Sequence, residues 1–134
     1  MSPNLSLDWP KFLATHWQKR PVVLRQGFTN FNDPLTPNEL AGLAMEEQVD
    51  SRIVAKSGDA WQVEHGPFDA YERFGEANWS LLVQAVDHWH EPSSHLMTPF
   101  RHIPDWRMDD LMISYAPPGG TVGPHFDSYD VFLL

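Results

Sequence analysis

Between Gly119 and Leu134 the chain reads GGTVGPHFDSYDVFLL, with His125 and Asp127 one residue apart. On an extended segment, residues two apart project from the same side, so this imidazole and carboxylate can converge on one ion. Imidazole plus carboxylate is part of the ligand set that holds ferrous iron while leaving positions open for substrates. A second histidine would complete that set. The pair alone carries little information. Seven His and eleven Asp in 134 residues give roughly 0.6 such pairs by chance (7 × 11/134). A turn histidine beside a capping or surface aspartate is the competing reading. The context adds weight, because Gly119, Gly120 and Gly123 let the backbone turn sharply just before the pair.

Other constellations are weaker. In His88-Trp89-His90-Glu91 a helix would set the histidines about 200° apart, and a strand end would leave them at the Pro92 boundary in solvent. His16, His65, His95 and His102 have no ligand spacing. Ser114 has neither a nearby base nor nucleophile-elbow glycines, so it is not a nucleophile.

The elements that must position the pair can be read in order. Asp8 caps a helix whose first turn takes Pro10, and Pro21 ends it; Phe12, Leu13, His16 and Trp17 share a face. Val22, Val23 and Leu24 read as a short strand. Thr36-Pro37-Asn38-Glu39 is a capping box, so a second helix starts at Pro37 and buries Leu40, Leu43 and Ala44. Ser51 to Lys56 and Ala60 to Glu64 form a hairpin about Ser57-Gly58-Asp59. Asp69 to Phe74 suits a short helix closed by Gly75. NWSLLVQAVDHWHEP fits a helical face through Trp79, Leu82, Val83 and Val86, or equally a buried strand. Asp110 to Tyr115 is a strand stopped by APPGG, with Met112 and Ser114 on one side and Ile113 on the other. Tyr129 to Leu134 is a strand by composition.

The bulk numbers bound the rest. The chain has the length of one domain, with 42% hydrophobic and 20% charged residues, so disorder is excluded. With no cysteine, disulfides, zinc-thiolate sites and iron–sulfur clusters are excluded. The opening MSPNLSLDWPKF carries no signal-peptide pattern and no stretch reaches a membrane span, so a cytoplasmic protein without membrane contact is expected. A net charge of −9 disfavours direct nucleic-acid binding and suits either solubility or a basic protein partner.

DDLMISYAPPGGTVGPHFDSYDVFLL closely resembles the iron-binding half of the Jumonji-C ribosomal oxygenases, in the bacterial branch that hydroxylates an arginine of a large-subunit ribosomal protein. HWQKRPVVLRQGF and NWSLLVQAVDHWHEP are similar to that family's upstream segments, which favours a strand from Trp79 to Val86. The resemblance implies an α+β chain: N-terminal helices and strands to about residue 90, then, from about 91 to 134, the opening of a double-stranded β-helix of cupin type. It implies Fe(II) as metal, 2-oxoglutarate as cosubstrate, His125 and Asp127 as the first two iron ligands and Ser114 as a contact of 2-oxoglutarate. The family's third ligand, its basic 2-oxoglutarate anchor and its dimerisation region have no counterpart before Leu134. The chain is therefore expected to be an incomplete piece, inactive alone, with an unpaired apolar strand at Val131 to Leu134; a homodimer is expected only of a full-length protein. The rival expectations are a non-catalytic cupin-like scaffold and a cupin metalloenzyme acting on a small molecule.

Overall fold

A computed structural model describes residues 3–134. Asp8 caps α1 (Trp9–Thr15) by accepting from the Lys11 N–H at 3.2 Å, with Pro10 in the first turn. Thr36 and Glu39 close the expected capping box on α2 (Pro37–Leu43), at 3.2 Å and 3.1 Å. Each cap satisfies helix N–H groups that would otherwise lack partners, worth about 1 kcal/mol apiece.

Among the described residues two antiparallel sheets form. The small one pairs β1 (Asn4–Leu5) with β2 (Phe28–Thr29). The larger has the order β4 (Ala60–His65), β3 (Ser51–Ser57), β5 (Trp79–Val83), β6 (Ile113–Tyr115). Its hairpin β3–β4 lies where the Ser-Gly-Asp turn signal places it, with Gly58 at φ +61. The ambiguous Trp79 segment resolves as strand, and every residue of β5 is buried. A central strand covered on both sides loses its alternation, which is why its apolar run also fitted a helix. The strand stops at Val83, and from Val86 single-turn helices α3 (Val86–Trp89) and α4 (Glu91–Ser94) follow. His90 caps the second of these through Nδ1, which accepts from Ser93 N–H at 3.3 Å. The Asp69–Phe74 expectation shrinks to one 3-10 turn, Glu72–Phe74, closed by Gly75 at φ +74.

Register separates the two faces of the larger sheet. Ile53, Trp79, Leu81 and Val83 pack with Leu40 and Ala44 of the α2 region into one core, and Ile113 joins it. The paired rows Lys56–Trp61, Val54–Val63, Arg52–Leu82 and Leu82–Ser114 define the opposite face. A second cluster gathers Trp9 and Phe12 of α1 with Phe100 and Ile103. The expected division near residue 90 falls between β5 and β6 of a single sheet.

Three strand expectations are corrected. Val22 to Leu24 has no strand pairing and stays exposed; the ladder begins later, at Phe28. Asp110 to Tyr115 is strand only from Ile113, because Leu111 N–H is taken by the Asp87 carboxylate at 3.0 Å instead of a neighbouring strand. Tyr129 to Leu134 is not a strand. Phe132 turns into the second cluster, stacking on Trp17 at 5.8 Å and lying 4.6 Å from Phe100. β-favouring composition forms a ladder only where a partner strand is in reach, and here aromatic contact takes its place.

Candidate metal centre

The approach to His125 is built from three glycines. Pro117-Pro118-Gly119-Gly120 is a β-turn closed by Gly120 N–H on Pro117 O at 2.9 Å, with Gly119 at φ +76. Proline second and a positive-φ glycine third is the signature of a type II turn. Asn78 N–H donates to Pro118 O at 2.9 Å, tying the turn to the start of β5. At Gly120 an added Cβ would overlap the Trp79 carbonyl oxygen, so only glycine fits there.

Beyond the turn, Gly123 N–H donates to Thr121 Oγ1 at 3.0 Å and Gly123 sits at φ +76. Its carbonyl is 3.0 Å from His125 Nδ1. A carbonyl can only accept, so Nδ1 carries the proton and Nε2 keeps its lone pair. Nε2 stands 3.7 Å from Asp127 Oδ2. Two donors bound at about 2.1 Å and at right angles lie ~3 Å apart, so a small side-chain rotation fits both to one ion. A ligating histidine usually donates its other ring N–H to a carbonyl or carboxylate, and His125 donates its own to Gly123 O. The residues present therefore suit a divalent transition-metal ion. Phe126, between them, is 95% exposed.

His125 and Asp127 share the wall of an open concavity with Phe12, His16, Phe100 and Phe132. His16 is engaged at Nδ1 by Thr15 Oγ1 at 2.8 Å. Among the described residues no group of three or more His, Asp or Glu side chains could hold a metal. Ser114 does not line this concavity. It is exposed on β6, opposite Leu82, on the sheet face that also carries Trp61. The Trp61 ring meets Gly123, so the loop to His125 runs over that same face. Trp61, Asn78 and Thr121 support the loop, yet nothing local in the sequence marks them. Their partners lie on other elements or depend on a turn whose geometry only the fold defines. Among the described residues no helix is long and apolar enough to cross a membrane.

Residues 95–134 match the JmjC domain. The whole chain is similar to bacterial ribosomal oxygenases. It is 65% identical over 134 residues to the Escherichia coli ribosomal protein uL16 3-hydroxylase, and 40% identical over 126 residues to a probable ribosomal oxygenase of Haemophilus influenzae. These alignments take in all of this chain and 36% of the first relative, and 92% and 31% for the second, so the chain spans about a third of the curated relatives it matches. The structure of YcfD, a ribosomal oxygenase from E. coli, superposes with a TM-score of 0.91 over 95% of this chain and 35% of that one. A second YcfD structure, in complex with cobalt and 2-oxoglutarate, matches at the same TM-score over 94% of this chain and 35% of that one.

Proposed function

We propose that this chain is part of an Fe(II)- and 2-oxoglutarate-dependent hydroxylase that acts on an arginine of the large-subunit ribosomal protein uL16. His125 Nε2 and Asp127 Oδ2 are two of the protein ligands to iron. The observation that carries this reading is the His125 imidazole, fixed through Nδ1 on Gly123 O with Nε2 turned to Asp127, in a chain so similar to a uL16 3-hydroxylase.

Iron bound there with 2-oxoglutarate supplies the oxidising power that protein side chains lack. The chain's own work is positional. The Gly123 carbonyl holds the imidazole in its metal-binding tautomer. Asp127 offsets part of the cation's charge. The Ser114 hydroxyl, on the face crossed by this loop, offers a hydrogen bond to a carboxylate of 2-oxoglutarate. Residues from about 91 onward, β6 among them, open a double-stranded β-helix, and β3, β4 and β5 of the N-terminal segment continue its sheet. The net charge of −9 steers a basic ribosomal protein towards the site. A ribosomal substrate sets the work in the cytoplasm.

The test is a chimera in which residues 1–134 replace their matching third of the E. coli hydroxylase. It should release succinate and hydroxylate a uL16 peptide at an arginine. His125→Ala and Asp127→Ala should each cost at least about 100-fold, and Ser114→Ala should raise the 2-oxoglutarate concentration needed while iron binding holds. A folded chimera that turns over normally with His125→Ala would remove the metal assignment. A folded chimera with no turnover at all would favour a scaffold role.

A further inference from the structure

Trp61 is in an unexpected place. It lies on the edge strand β4, 42% exposed, and it belongs to neither apolar cluster. A large ring is costly to leave half in water, so its contacts are informative. One side of the indole takes the Lys56 ammonium, 5.0 Å from the ring centroid, which holds the ring against the sheet. The six-membered part of the ring meets Gly123: a Cβ there would stand 3.1 Å from both Cζ2 and Cη2. Gly123 is thus confined by the Thr121 hydroxyl on its N–H and the indole against its Cα. Its remaining polar group, the carbonyl, takes the His125 Nδ1–H.

We propose that Trp61 is a positioning residue for the metal ligand His125, acting through Gly123. The indole blocks the one direction in which the Gly123 peptide could swing away, so the carbonyl stays aimed at Nδ1 and Nε2 stays free for the ion. The inference rests on the metal reading above, but its first readout does not require a metal. In the metal-free chain, long-range ¹⁵N–¹H NMR should find His125 wholly in the Nδ1–H tautomer. Trp61→Phe keeps a flat ring and should preserve it. Trp61→Thr and Trp61→Val keep strand-favouring residues at the edge but remove the ring. Both should give a mixture of tautomers and weaken Co(II) binding, followed by visible absorption, about 10-fold. Gly123→Ala presses from the other side: its methyl would stand 3.1 Å from the ring, so loop and indole must part by a few tenths of an ångström, and φ +76 strains the alanine further; it should give the same mixture even if the Trp61 variants fold poorly. A single tautomer and an affinity within about twofold of the parent in the Thr and Val variants, or in Gly123→Ala, overturns the proposal. His125→Ala separates the two readings. If that variant still binds Co(II) as well as the parent, the metal assignment falls while the tautomer result still decides the role of Trp61.

Discussion

Gly120→Ala is the sharpest perturbation of the loop that carries the candidate ligands. The new methyl would overlap the Trp79 carbonyl oxygen and lie 2.9 Å from Ala116 Cβ and 3.0 Å from Pro117 O. Two of these are backbone atoms and the third is a Cβ, so no side chain can rotate aside. The turn must retreat by roughly 1 Å to reach ordinary van der Waals distance. β5 is central and fully buried, and it cannot follow. The retreat strains or breaks the Asn78 N–H bond to Pro118 O, 2.9 Å in the parent. Overpacking contributes about 1–3 kcal/mol and the lost hydrogen bond about 1 kcal/mol, so destabilisation of roughly 2–4 kcal/mol is expected. Urea unfolding followed by tryptophan fluorescence measures it, with Gly42→Ala as the control, because a Cβ at Gly42 meets nothing. The control should be neutral or slightly stabilising, since Ala suits the helix interior better than Gly. If Gly120→Ala unfolds within about 0.5 kcal/mol of the parent, the turn is not held against β5 as described.

Phe132→Ala should cost about 2 kcal/mol, below the range for a fully buried ring because Phe132 is only half-buried, and should reduce near-ultraviolet dichroism from Trp9 and Trp17. Burial raises the Tyr71 pKa above 10.0; its neutral phenol is therefore favoured by folding, a stabilisation fully present below the ordinary tyrosine value and lost as pH rises through the folded-state value. Tyr71→Phe should lower stability by about 1 kcal/mol near neutral pH, through loss of the 2.6 Å bond to Ala41 O, and should flatten the decline of the urea midpoint at alkaline pH.

Local chemistry was legible wherever it was self-contained. Thr36 to Glu39 holds both halves of its capping box within four residues, Asp8 reaches an amide three residues on, and Pro118-Gly119 specifies its own turn. Sequence reasoning failed where the outcome depended on a distant partner. Val22 to Leu24 and Tyr129 to Leu134 have strand composition, but neither is offered an edge, and Phe132 finds Trp17 more than a hundred residues away. The buried segment from Trp79 was undecidable by periodicity, and the family resemblance, not the residue pattern, favoured strand. His125 and Asp127 were visible as a pair because their relation is two residues long. The support from Trp61 was not, because it crosses from β4 to a loop sixty residues later.

The packing of Phe132 against α1 also has a consequence in time. Trp9, Phe12 and Trp17 leave a ribosome well before Phe132, since the ring that stacks on Trp17 is encoded 115 positions later. At roughly 5–20 residues per second, that interval is on the order of ten seconds. Phe28 and Phe100 arrive earlier and cover part of the aromatic surface, but Trp17 keeps one face open until Phe132 emerges. A nascent chain in that interval shows chaperones the apolar face of α1. The stacking of Phe132 ends that exposure and anchors the chain five residues beyond Asp127.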